Sequence, residues 1–240
     1  MKINAEDMHF QVLNDQLRAT TDQTVTIENC MGQRYICSGM AKKQVEINGV
    51  PGNALGAYLD GASITVKGNA QDATGDTMNE GEIIIHGSCG DATGYGMRGG
   101  KILIQGNAGY RAGIHMKAYQ THQPLVMIGG SAGSFLGEYQ AGGTIVVLGL
   151  NTEKKTVVGN GCGTGMHGGK MYLRCEELPT DLPVQVVAEK ATDEDMSKID
   201  AYLDDFCEHF GVSKDEILSK QFFVLSPNTK NPYKALYTQN

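Results

Sequence analysis

Apolar residues along this chain come in pairs spaced two apart, and the pairs recur every 19 or 20 residues over most of its length. GEIIIHG at 81–87 and GKILIQG at 100–106 state the unit most fully. Extending that register both ways places repeat starts at Gln23, Lys43, Ala62, Gly81, Gly100, Pro124, Gly143 and Gly169. Two and four residues after each start stand Val25/Ile27, Val45/Ile47, Ile64/Val66, Ile83/Ile85, Ile102/Ile104, Val126/Ile128, Ile145/Val147 and Met171/Leu173. All sixteen are apolar and fourteen are β-branched. This alternation predicts a strand with one buried face in every unit, built from residues that suit a pleated surface. The position five after each start, Glu28, Asn48, Lys67, His86, Gln105, Gly129, Leu148 and Arg174, reads mostly as an outer, wetted face.

The same register accounts for the 32 glycines. Gly56, Gly75, Gly94, Gly137 and Gly163 stand six before a start, and Gly49, Gly68, Gly87, Gly106, Gly130 and Gly149 stand six after. Such columns mark a corner repeated in each unit, where φ is positive or a Cβ has no room. Three before a start come Met40, Leu59, Met78, Met97 and Met166, a second apolar ladder that Gln140 interrupts. Eight after come Ala70, Cys89, Ala108 and Ala132, suited to a tight inside corner.

A 19-residue unit with one strand and two corners is too short to hold a helix as well. The fold class expected is therefore mainly β, a single-stranded parallel β-helix of about eight coils, each burying its ladder on the next. Residues 1–22, with an amphipathic helix over Ala5–Arg18, are expected to cap the first coil, because a bare end would expose a strand edge. Residues 23–175 form the repeat domain. Residues 176–240 read as a helical extension and tail. There Thr192 and Asp195 look like a capping box, and Met196, Ile199, Leu203, Phe206 and Phe210 make a stripe that stops at Gly211. A shorter helix follows from Ser213, then an apolar tail expected to return along the repeat or to strap a partner. Two insertions break the register, one around KAYQTHQ after Met116 and one around Leu150–Val158.

Charge and cysteine usage narrow the function. A net charge of −7 without a basic stripe gives no footprint for nucleic acid. No apolar run is long enough for a membrane span and the first residues lack a signal pattern, so a cytoplasmic protein is expected. The six cysteines, Cys30, Cys37, Cys89, Cys162, Cys175 and Cys207, include no C-x-x-C pair and read mostly as buried packing residues.

Three strings resemble catalytic motifs. Residues 94–99 (GYGMRG) and 163–168 (GTGMHG) fit the dinucleotide pattern, but each precedes a strand where that pattern needs a helix. Residues 129–133 (GGSAG) fit a hydrolase elbow, yet Ser131 falls in a column with Asn69, Ser88 and Asn107 that suits a turn. Neither catalytic, cofactor-binding nor metal-binding residues are assigned. His86 and His167 look solvated. The polar and aromatic residues the repeat leaves unexplained are Arg111, His115, Tyr119 and His122, flanking the first insertion. They are the candidate partner surface.

The glycine ladder, the G-x-G-x-G string at 161–165 and the stretch GGSAGSFLGEYQAGGTIVVLG closely resemble the GXGXG domain at the C-terminal end of the glutamate synthase large chain. The coverage runs from about Gln23 to Cys175, and the tail with residues 231–237 (NPYKALY) looks like stand-alone forms of that domain. More distantly the repeat resembles the C subunit of formylmethanofuran dehydrogenase. The resemblance implies a right-handed β-helix that braces an amidotransferase and a flavoprotein. FMN and iron–sulfur centres would belong to those partner chains, and this chain would carry no cofactor. An amidotransferase of that family needs an N-terminal cysteine, whereas this sequence opens on Met1. The expected role is a non-catalytic scaffold subunit of a glutamate synthase-like complex, with homo-oligomerisation left open. The alternatives are a structural subunit of a formylmethanofuran dehydrogenase-like complex and a stand-alone β-helix enzyme.

Overall fold

The computed structural model describes residues 1–228 of the 240. Eight strands are spaced as the repeat predicts: β2 (Thr24–Met31), β3 (Gln44–Val50), β4 (Asp60–Val66), β5 (Glu80–Ile85), β6 (Lys101–Ile104), β7 (Leu125–Ile128), β8 (Ala141–Val147) and β9 (Gly168–Arg174). Each pairs in parallel with the next, in the register Val25–Val45–Ile64–Ile83–Ile102–Val126–Ile145–Met171. All sixteen ladder residues are buried in one continuous core. A short β1 (Lys2–Asn4) precedes them, paired in parallel with β2. At the far end β10 (Val186–Lys190) and β11 (Phe222–Pro227) join antiparallel, giving an eleven-stranded sheet in the order β1-β2-β3-β4-β5-β6-β7-β8-β9-β11-β10. The expected β-helix is thus met in part. Its strands stack in sequence order and register, but the sheet is mixed and open.

The segments between the strands stack as well. Parallel bridges link Ala70, Cys89, Ala108, Ala132 and Val158, the small-residue column. Before each strand from β3 to β9 lies a turn in which every second residue is left-handed. These are Tyr35/Cys37/Gly39, Ala54/Gly56/Tyr58, Ala73/Gly75/Thr77, Ala92/Gly94/Gly96, Arg111/Gly113/His115, Phe135/Gly137/Tyr139 and Gly161/Gly163/Gly165, with φ between 51° and 74°. The middle position points at the core. A Cβ on Gly56 would come 2.7 Å from Ile83 Cδ1, and one on Gly113 2.6 Å from Ile145 Cδ1, which selects glycine there. The outer two positions face outward and accept other residues.

Helix α1 (Phe10–Ala19) buries Leu13 and Leu17 against the first strands and is shorter than the helix expected over Ala5–Arg18. Helix α2 (Asp193–Phe210) starts in the expected capping box and ends at a left-handed Gly211, and α3 (Lys214–Leu218) follows. The tail residues 231–237 lie outside the described residues.

The outer face departs from its wetted reading. Ile84, Leu103, Met127, Val146 and Tyr172, three after successive starts, are buried with Ile199, Leu203 and Phe206 of α2 in a second cluster. In the first three units that position holds Thr26, Glu46 and Thr65. Gly129, Leu148 and Arg174 of the expected outer column are buried with it. Buried Arg174 spends its guanidinium on carbonyls: Nε donates to Ile217 O at 2.7 Å, Nη2 to Glu216 O at 2.9 Å and Nη1 to Leu148 O at 3.0 Å. Two of these acceptors are last-turn carbonyls of α3, where a cation is favourable. Burial pulls the Arg174 guanidinium below its ordinary value.

Candidate interaction surface

Arg111 and His115 are the outer left-handed residues of one turn, and Phe135 and Tyr139 hold the same two places one unit on. The stacking of units therefore sets Phe135 beside Arg111 and Tyr139 beside His115. The His115 ring stacks on Tyr139, with centroids 5.1 Å apart and planes 10° apart, and meets Tyr95 edge-on at 5.8 Å. The Arg111 guanidinium lies over Tyr110 at 4.7 Å and over Phe135 at 5.6 Å. Its Nε donates to Glu138 Oε2 at 2.7 Å, and that hydrogen bond holds the guanidinium pKa above its ordinary value. The Glu138 main chain joins the two rows, since His115 N–H donates to Glu138 O at 2.8 Å. Tyr95, His115 and Tyr139 are exposed, whereas Glu138 is buried.

Tyr119 and His122 are the other half of the surface expected from sequence. They bond to one another, Tyr119 N–H to His122 O at 3.1 Å and His122 N–H to Tyr119 O at 2.9 Å, closing the insertion on itself. Among the described residues the ring contacts join Tyr95, His115 and Tyr139 and include neither of this pair. Sequence reading missed Tyr95, Tyr110, Phe135 and Tyr139. The signal was available in the repeat phase, which puts Phe135 and Tyr139 in the columns of Arg111 and His115.

The strings that mimic catalytic motifs are absorbed by the backbone. Gly94/Gly96 and Gly163/Gly165 belong to the left-handed turns. Ser131 sits in a ladder of side chains that accept from the next unit. Ser88 N–H donates to Asn69 Oδ1 at 2.8 Å, Asn107 N–H to Ser88 Oγ at 3.0 Å, and Ser131 N–H to Asn107 Oδ1 at 2.8 Å. His86, expected to be solvated, is half-buried edge-on against Phe210 at 5.3 Å, and burial lowers its pKa. His167 is half-buried too, its Nδ1 2.9 Å from Gly165 O.

Five cysteines are buried and Cys207 is half-buried. Burial pushes the thiols of Cys30 and Cys175 up to about 11 and those of Cys37, Cys89 and Cys162 up to about 12. They are packing residues. Among the described residues no group of three or more His, Cys, Asp or Glu is placed to hold a metal ion, and no helix is long and apolar enough to cross a membrane.

A family model described as the GXGXG motif matches residues 4–228. The chain belongs to the GXGXG motif family. The match extends beyond the repeat on both sides, taking in α1 and the helical extension. An uncharacterized protein of Methanocaldococcus jannaschii is 45% identical over 249 residues, spanning 98% of this chain and 95% of that protein. A chain in the crystal structure of the formyltransferase/hydrolase complex of Methylorubrum extorquens with methylofuran has a TM-score of 0.63 at 19% identity, covering 92% of this chain and 89% of that one. That likeness is one of fold. The GXGXG resemblance read from the sequence therefore holds for the family, and the more distant one is met in the fold.

Proposed function

We propose that this chain is the non-catalytic scaffold subunit of a glutamate synthase-like assembly, bracing a glutamine amidotransferase chain and a chain that carries FMN and iron–sulfur centres. The observation that carries the reading is the GXGXG match over residues 4–228, which covers nearly all of the 240. We also propose that its walls, namely the strands, the small-residue bridges and the left-handed turns, close into a right-handed parallel β-helix. Stacked units that each bond to their neighbours suit bracing, because such an array presents an extended surface to partners.

The test is gentle affinity purification of the tagged chain from its own cells, with masses of the bound chains and the flavin spectrum recorded. The expected result is an amidotransferase chain and a flavoprotein, with glutamine-dependent glutamate formation only when all are combined. Recovery of the chain alone and colourless would overturn it.

A second reading is favoured by the fold likeness to a chain of the formyltransferase/hydrolase complex. In it this chain would brace an assembly that handles one-carbon formyl groups. The same purification separates the two, because the recovered chains would then act on a formyl carrier and bring no glutaminase activity.

A further inference from the structure

The chain holds two Asn-Gly steps, at 48–49 and 160–161. At such a step the main-chain nitrogen can reach the side-chain amide before it, because glycine has no Cβ to block the approach. The fold treats the two in opposite ways. Asn48 and Gly49 lie inside β3, where Gly49 is paired with Cys30 of β2 and Asn48 Nδ2 donates to Glu28 Oε2 at 3.0 Å. Asn160 and Gly161 instead open the last left-handed turn before β9. Asn160 is exposed, and among the described residues nothing bonds to its side-chain amide. Its main chain is held, with N–H donating to Ser134 Oγ at 3.2 Å and the carbonyl accepting from Phe135 N–H at 2.8 Å.

The Gly161 nitrogen has a partner unlike that of its column. In the earlier turns the N–H of Tyr35, Ala54, Ala73, Ala92, Arg111 and Phe135 donates to a main-chain carbonyl of the next unit. The last unit has no successor, and Gly161 N–H donates to the carboxylate of Asp181, at 2.7 Å from Oδ2. A carbonyl only holds the proton in place, whereas a carboxylate can take it.

We propose that Asn160–Gly161 is a self-modification site, at which Asp181 is the general base for ring closure to a succinimide and water then yields aspartate or isoaspartate. Asp181 Oδ2 takes the proton of Gly161 as that nitrogen attacks Asn160 Cγ. The N–Cγ bond forms, the Cγ–Nδ2 bond breaks, and the proton departs with Nδ2 as ammonia. Water then adds across one of the imide C–N bonds, with no change of oxidation state. A placed base raises the rate of such a step by about 10²–10⁴-fold. Opening to isoaspartate lengthens the main chain where Asn160 O meets Phe135 N–H and leaves a new carboxylate beside Asp181. The proposal is independent of the scaffold reading.

The test incubates the purified full chain at neutral pH, native and in denaturant, and follows residues 48 and 160 by peptide mass and by enzymatic methylation of isoaspartate. The native protein should convert Asn160 and spare Asn48, and should convert Asn160 about tenfold faster than the unfolded chain does. Asp181→Asn keeps an acceptor for Gly161 N–H but no base, and should slow the native reaction about tenfold while leaving the rate in denaturant unchanged. A native rate at Asn160 equal to or below that of the unfolded chain overturns the proposal, since the turn then protects the step. An unchanged native rate in Asp181→Asn overturns it as well, and leaves Asp181 as no more than the end of the hydrogen-bond ladder.

Discussion

The ring of Tyr139 covers the backbone of Gly165 in the next unit, so that a Cβ on Gly165 would stand 2.5 Å from Tyr139 Cε1. Phe135 covers Gly161 in the same way, with Cδ1 and Cε1 each 3.0 Å from such a Cβ. The string at 161–165 has glycine at its two outward positions because of the rings above it, and at its middle because of Val186.

Gly165→Ala should therefore carry two costs, about 1–2 kcal/mol for the left-handed backbone and about 1–3 kcal/mol for displacing the ring. Gly211→Ala is the comparison. Gly211 is left-handed too, but nothing lies within 4 Å of its Cβ position, leaving the backbone cost alone. Urea unfolding of both variants should show the larger loss at Gly165. Equal losses would mean that the Tyr139 ring moves aside freely.

Docking of α2 on the outer face depends on Phe206 and on Lys101. Phe206 is fully buried in the second cluster, and Phe206→Ala should cost about 3–5 kcal/mol. Lys101 Nζ lies 2.5 Å from Asp205 Oδ2 and 3.0 Å from Glu82 Oε2. Burial raises the Glu82 pKa, but hydrogen bonds from Ser63 and Lys101 outweigh it and leave the carboxyl below its ordinary value. Lys101→Met removes the cation between two half-buried carboxylates and should cost about 1–3 kcal/mol. Hydrogen exchange should quicken in α2 in both variants and stay slow in β2–β4. Uniform acceleration across the sheet would show that α2 does not open on its own.

The periodicity made the strand stack legible almost residue by residue, since a buried ladder tolerates little else than β-branched or long apolar side chains. Covering of the outer face was legible in principle. The position three after each start changes from Thr26, Glu46 and Thr65 to Ile84, Leu103, Met127, Val146 and Tyr172, which only a covering layer explains. The interaction surface was half legible. Arg111 and His115 stood out as residues without a place in the core, whereas the rings they touch, Tyr95, Tyr110, Phe135 and Tyr139, did not. What brings Tyr139 to His115 is the unit-to-unit stacking, and the first insertion lies between the two in sequence. The left-handed turns were not legible beyond their glycines, because eleven of their positions hold residues that rarely adopt positive φ.

Acid should loosen the start of α2 first. Asp195 accepts from Lys170 Nζ at 2.8 Å and from Thr192 of the capping box, which lowers its carboxyl from 3.8 to about 2. A depressed folded-state pKa stabilises the fold above the unfolded value and ceases to as pH falls through the folded one. The contribution should be intact above about pH 4 and lost between about pH 4 and pH 2, on the order of 1 kcal/mol after solvent screening. Asp195→Asn should be less stable at pH 7 and should lose that part of the acid dependence. Parallel curves for the two proteins would sink this assignment.

The thiols give the most direct probe of how tightly the units stack. Reactivity with a disulfide reagent follows access and the thiolate fraction, and burial raises the pKa of every cysteine here. Cys207 on α2 is half-buried, whereas the other five are enclosed. At pH 8 the native protein should therefore show one slowly reacting thiol, and all six should react at once in denaturant. Cys207→Ser should leave a native protein almost inert to the reagent. Cys30 sits near the end of the stack, where it donates to Gln33 Oε1 beneath the segment before α1. A second native thiol traced to Cys30 would mean that this end opens by itself. One traced to Cys89 or Cys162 would be more serious, because those thiols become accessible only if the stacked units separate.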